Sequence, residues 1–237
     1  MGLRLIDLQI IERIRQNLPK PGRVLSLGYP DVLLAETDLR KLFDLDSAEF
    51  QFREDSAEII KWHGAVLDKL VETKHFFSLL GLEFDAWDIH ASRGVEKEVD
   101  LNHGLDVAEP VCLYDLVIDG GTVEHCFNIA QAMSTIALMV KQGGFVFHDN
   151  PCNMYNHGFY NLNPTFYFDW YESNGFVVTL CALTDGEKYM PVERTTRFSE
   201  IPERMSLVCV ARKLIHNPPY KWPMQMKYRG NPDLKAA

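Results

Sequence analysis

The 237-residue sequence has no stretch approaching the ~18–20 uninterrupted apolar residues that span a bilayer. Its first helix candidate, Leu3 to Leu18, carries Arg4, Asp7, Glu12, Arg13 and Arg15 where a secretory signal would be apolar. Positive charge is scarce: 24 Lys and Arg stand against 33 Asp and Glu, a net charge of −9. Broad binding to a nucleic-acid backbone, which draws its affinity from basic side chains, is therefore disfavoured. The five cysteines (Cys112, Cys126, Cys152, Cys181, Cys209) include no C-x-x-C pair, which excludes a zinc framework and a secreted disulfide scaffold. Scattered thiols suit a reducing, cytoplasmic setting. With 15 Gly and 12 Pro, neither a collagen-like nor a low-complexity reading holds. No repeat and no linker divides the chain, and its length suits one domain with one full core.

What is present is periodicity. Apolar residues from Leu3 to Leu18 recur at helical spacing and stop at Pro19-Lys20-Pro21-Gly22. Arg23 to Gly28 reads as a buried strand, and residues 31–81 as mostly helical with a polar interruption around Asp46 to Asp55. From Leu82 strands alternate with helices. Strands are expected at Leu82–Ile89, Val95–Leu101, Tyr114–Asp119, Phe145–His148, Phe176–Leu183 and Ser206–Arg212. Helices are expected at Asn128–Lys141 and from Asn163 or Thr165 to Ser173. Alternation implies a parallel α/β sheet covered on both faces, and the last two strands, with no helix between them, an antiparallel edge. Ligands in such sheets sit beyond the carboxyl ends of the strands, which makes Gly28 to Asp31, Asp88 to His90, Asp100 to Asn102, Asp119 to His125 and His148 to Asn153 the informative positions.

Tyr114-Asp115-Leu116-Val117-Ile118-Asp119, followed by Glu124-His125 and by Met139-Val140-Lys141-Gln142-Gly143-Gly144, resembles the class I S-adenosylmethionine-dependent methyltransferases. The likeness covers residues 23–212. Asn156-His157-Gly158-Phe159-Tyr160, with Pro164-Thr165-Phe166 and Asn174-Gly175-Phe176, is similar to bacterial saccharide and secondary-metabolite methyltransferases. The resemblance implies a seven-stranded, mostly parallel sheet of order 3-2-1-4-5-7-6, strand 7 antiparallel, with helices on both faces. The chain is read as a single domain over 1–237, with an N-terminal helical extension (1–22), a helical insert (31–81) and a C-terminal tail (213–237). The extension and insert are expected to cover the mouth. The tail would be a lid, the arm of a homodimer, a weak site for an anionic partner, or a packed or frayed terminus.

Carried over by position, the resemblance implies that Asp88, with Ile89, binds the ribose hydroxyls of S-adenosylmethionine, and that Asp100 and Leu101 contact adenine. Gly28 after the first strand and Asp119 at the end of the fourth are expected to complete the cofactor contacts. The first loop departs from the family's glycine-rich pattern: Leu25-Ser26-Leu27-Gly28-Tyr29-Pro30-Asp31 keeps only Gly28. Tyr29 and Asp31 are then expected to replace the lost contacts, and a non-catalytic binding or scaffold protein on the same fold stays open as an alternative. A nicotinamide-dependent oxidoreductase is disfavoured, since no G-x-G-x-x-G follows a strand.

The expected reaction is O-methylation of a small polar acceptor, a sugar or a secondary metabolite. Histidine suits removal of a hydroxyl proton near pH 7, and His157 and His148, then His125, are the candidate general bases. Alternatively Asp119 with Asp149-Asn150 resembles the Mg²⁺ site of catechol-type O-methyltransferases, where three oxygen ligands hold the ion against the acceptor.

Overall fold

In a computed structural model the chain is described at residues 2–106, 111–197, 200–216 and 219–230. Ten strands and six helices follow one another in these segments. Strands β2 (Gly22–Leu27), β4 (Leu82–Asp88), β6 (Tyr114–Asp119) and β7 (Val140–Pro151) form the parallel centre of one sheet, with β5 (Lys97–Glu98) parallel at one edge. On the other side β10 (Ser206–Lys213) runs antiparallel to β7 and to β8 (Phe176–Thr184), and β9 (Tyr189–Pro191) pairs antiparallel with β8. The sheet reads β5-β4-β2-β6-β7-β10-β8-β9. This corrects the expected seven strands to eight, with the order extended at one edge by β9. An eighth strand closes the β8 hairpin, and β1 (Gly2–Leu3) and β3 (Asp31–Val32), which enter the chain count, form a separate parallel pair.

Alternating residues on the strands sort into two cores. Leu25, Leu27, Val117 and Val146 pack under α5 (Ile129–Met139) and α6 (Pro164–Ser173). Val24, Leu116, Ile118, Phe145 and Phe147 pack under α1 (Leu5–Arg15), α2 (Glu36–Phe43) and α4 (Thr73–Leu79). Helix α1 buries Ile6, Leu8, Ile10, Ile11 and Ile14 against this second core, so it covers a face of the sheet.

The insert is less helical than its composition suggests. It opens with β3, contains α2, α3 (Ser56–His63) and α4, and is pinned by an isolated bridge between Phe52 and Val71. The expected strand Val95–Leu101 shrinks to two residues, because β4 offers it only Trp87 and Asp88 as partners. Helix α5 stops at Met139, since Val140 already pairs with Tyr114. All five cysteines are free thiols.

Lys213 is the unexpected member of the interior, with no exposed surface. Its Nζ donates to the carbonyls of Ala137 at 2.6 Å and Val140 at 2.9 Å, where α5 runs out of its own hydrogen bonds. A cation there also meets the negative end of the helix dipole. Burial lowers the ammonium pKa below the usual lysine range. The tail continues this packing: Tyr220 donates to Ala137 O at 2.6 Å, and Trp222 lies 6.2 Å from the Trp170 ring. Lys213→Ala should cost about 2–4 kcal/mol in urea unfolding, because it opens a cavity and strips two buried carbonyls of a donor.

Candidate functional site

The carboxyl ends of β2, β4 and β6 surround a cavity of about 280 Å³, lined among others by Gly28, Tyr29, Asp88, Asp100, Leu101 and His125. That is near the lower limit for a small-molecule site. Ile89, Gly121, Thr122 and Cys126 also border it, so six of the eight expected cofactor positions converge here. Asp88 Oδ1 accepts from the Ile89 amide at 2.7 Å, and Oδ2 has no partner among the described residues. Asp100 is committed differently: Oδ1 accepts from the amide and side chain of Asn102, each at 2.9 Å, and Oδ2 faces His103 Nδ1 at 2.9 Å. Those bonds, the Asn102 amide foremost, hold its carboxyl below the ordinary range.

The glycine-poor elbow leaves the cavity open. The Tyr29 hydroxyl donates to the Glu72 carboxylate and accepts from the Lys74 amide, and its ring stands edge-on to Phe84. Tyr29 therefore forms a wall. Asp31 does not line the cavity. It is buried under the insert, with Arg53 Nη1 at 2.7 Å, His63 Nε2 at 2.9 Å and Arg93 Nη2 at 3.6 Å. The expected cofactor contact is corrected to a buried ion-pair cluster joining β3 to residues 53–93.

Asp119 is also enclosed, with no exposed surface. Oδ1 accepts from the amides of Thr122 at 2.9 Å and Val123 at 3.2 Å, which shapes the turn after β6. Oδ2 meets His148 Nδ1 at 2.6 Å and Asn150 Nδ2 at 3.0 Å. His148 is fully buried, its Nε2 2.5 Å from the Tyr171 hydroxyl. Both ring nitrogens are occupied, so His148 reaches no acceptor and is corrected from candidate base to a group that holds Asp119. Asn150 Oδ1 accepts from the Tyr167 hydroxyl, and Nδ2 also donates to Glu124 Oε2 at 2.9 Å. The expected Mg²⁺ set fails on the same geometry. Asp119 and Asn150 bond one another, while Asp149 alternates to the opposite face, beside Asp7 of α1.

Glu124 belongs to the Glu124-His125 motif, but nothing in the sequence gives it a role. It is buried in the short 3₁₀ turn Val123–His125, and burial, reinforced by the Asp119 charge, raises its pKa to about 8. The residues after β7 double back onto it: the amides of Phe159 and Tyr160 donate to Glu124 O at 2.9 and 3.3 Å. Gly158 permits this approach, since a Cβ there would stand 2.9 Å from the same carbonyl oxygen. As a result His125 and His157, 32 residues apart in sequence, bring their rings to 5.2 Å, both half-exposed. Burial and the neighbouring His157 lower the His125 pKa. Phe127 and Phe159, two residues beyond each histidine, meet edge to face at 5.4 Å and are largely exposed.

Across the sheet, burial keeps the Asp149 pKa at about 6, and burial together with the Asp149 charge raises that of Asp7 well above the carboxylate range. Raised folded-state values mean that the folded chain binds the extra proton. The stability this confers is complete below the ordinary value of 3.8 and lost as pH rises through about 6. Melting temperature should fall across that window, and Asp7→Asn should flatten the fall in a pH series of thermal melts.

No protein-family model and no curated protein matches the sequence. Among solved structures, the chain is similar to the 1,6-didemethyltoxoflavin-N1-methyltransferase of Burkholderia thailandensis, with bound S-adenosylhomocysteine, at 12% identity and TM-score 0.47, over 88% of this chain and 77% of that one. It is similar to the CMeT domain of the citrinin polyketide synthase at 12% identity and TM-score 0.48, over 90% and 53%. It is also similar to the methyltransferase CalH in complex with S-adenosylhomocysteine at 14% identity and TM-score 0.45, over 87% and 54%. The chain thus spans about half the length of the last two.

Proposed function

We propose that this chain is an S-adenosylmethionine-dependent methyltransferase that methylates a hydroxyl of a small polar acceptor, a sugar or a secondary metabolite. The observation that carries this reading is the open cavity over β2, β4 and β6, with an uncommitted Asp88 oxygen on one side and His125 on the other. A carboxylate at the end of β4 suits a ribose, because its oxygens accept from adjacent hydroxyls. With the Asp100 carboxylate held in its own turn, adenine recognition falls to the backbone at Leu101 and to the apolar walls Trp87 and Val99.

When bound, the cofactor supplies an electrophilic methyl group for an in-line displacement, in which alignment of the partners is the main catalytic term. The chain aligns them from two sides. Tyr29, anchored by Glu72, limits the cavity beneath the elbow. The acceptor enters from the side of His125 and His157, with Phe127 and Phe159 as exposed rings suited to the apolar face of a sugar or an aromatic metabolite. The acceptor's proton leaves toward the two histidines, which take the place of the buried His148. The expected cytoplasmic setting and small-molecule partner belong to the same reading. Among the described residues no helix is long and apolar enough to cross a membrane.

Calorimetry with S-adenosylmethionine, S-adenosylhomocysteine and NAD should detect binding of the first two alone. Asp88→Ala should weaken both by about tenfold or more, a loss of ~1.4 kcal/mol, without changing the melting temperature of the free protein. Indifference to all three ligands would instead favour the non-catalytic scaffold.

A further inference from the structure

Glu124, His125 and His157 carry a feature that methyl transfer alone does not require. Glu124 Oε2 is bonded to Asn150, but Oε1 is buried with no hydrogen-bond partner among the described residues. Buried polar atoms are rarely left so. Two ring nitrogens face that oxygen, His125 Nε2 at 3.8 Å and His157 Nε2 at 3.7 Å. Both distances are too long for a hydrogen bond. They are close to what one shared ion produces, since metal bonds of about 2.0–2.2 Å put two donors roughly 3–4 Å apart. One ligand atom from each of the three residues lies within 4.8 Å of the others, and no other such group occurs among the described residues.

We propose that Glu124 Oε1, His125 Nε2 and His157 Nε2 form a binding site for one divalent transition-metal ion. Two imidazoles and one carboxylate suit Zn²⁺, Fe²⁺ or Co²⁺ and disfavour Mg²⁺ and Ca²⁺, which prefer oxygen ligands throughout. The supports are already built. The Asn150 amide fixes the carboxylate from behind, as outer partners do around metal ligands. The two amide bonds to Glu124 O hold the His157 segment against the turn that bears His125. Three protein ligands leave positions open for an exogenous oxygen. Because both histidines are half-exposed and His125 lines the cavity, those positions face it and the solvent.

Binding of the ion stands on this geometry alone, and only its role rests on the methyltransferase reading. In that role the ion holds the acceptor hydroxyl and lowers its pKa, so that its proton passes to water and the oxygen is free to attack. The two histidines would then hold the ion in place of taking the proton themselves.

The test uses the untagged full chain, stripped with chelator and titrated with Zn²⁺ and Co²⁺ by calorimetry, with Mg²⁺ as the contrast. One Zn²⁺ or Co²⁺ per chain is expected, with visible Co²⁺ bands showing nitrogen ligation and far weaker Mg²⁺ binding. His157→Ala and His125→Ala should each weaken binding by roughly 100-fold and Glu124→Gln by at least tenfold. The half-exposed positions of both histidines should leave the metal-free melting temperatures of their variants unchanged. One equivalent still bound by the His125→Ala/His157→Ala double variant, or no binding by the wild type at millimolar Zn²⁺, would overturn the site. Parallel titration with S-adenosylhomocysteine separates the two readings: ion binding without nucleoside binding supports the metal site and removes methyl transfer, and the reverse overturns the metal site alone.

Discussion

The carboxylate of Asp119 is the constraint on which the site's shape depends. A buried carboxylate is costly unless its oxygens are satisfied, and here each accepts two hydrogen bonds from groups that must then stay where they are. Two are the amides that wind the turn after β6, and two are side chains at the end of β7. Through His148 the network reaches Tyr171, and through Asn150 it reaches Tyr167 and Glu124, so α6 is tied to the same centre. Apart from Glu124 Oε1, which has no hydrogen-bond partner among the described residues, the network is bonded from member to member, and each fixes the geometry of the next. The same negative charge raises the pKa of Glu124.

Around this centre the chain solves two further problems with charges removed from water. Asp31, Arg53, His63 and Arg93 lock the insert to the first loop, and Lys213 finishes the last turn of α5. Neither group touches the cavity, yet both position what does. The insert brings Glu72 to the Tyr29 hydroxyl and keeps the elbow from closing the cavity. Helix α5 starts just beyond Phe127 and carries one core of the sheet.

Much of the fold was legible because burial on alternate faces leaves a period in the chain. The expected Tyr114–Asp119 strand is reproduced residue for residue, while Leu82–Ile89 and Ser206–Arg212 shift by a single residue at one end. Boundaries failed where a partner distant in sequence decided them. Leu3 leaves the first helix to pair, beside Gly2, with Asp31–Val32, and Val140 leaves α5 to pair with Tyr114. The short strand β9 carries no buried residue and so no pattern; only its pairing with β8 makes it a strand.

The site divides along the same line. By itself the sequence determined which residues sit at the carboxyl ends of parallel strands, since strand direction and alternation follow from local composition; Gly28, Asp88, Leu101 and His125 meet at the cavity accordingly. It could not determine which side chains are consumed before any ligand arrives. Asp31, Asp119 and His148 look as available in sequence as Asp88, but side chains 22 or more residues away already occupy them. The meeting of His125 with His157 over Glu124 likewise depends on a backbone approach at Gly158 that no local pattern encodes. Tertiary structure alone decides such matters, because a hydrogen bond or an ion site is a relation between groups in space and leaves no period in the chain.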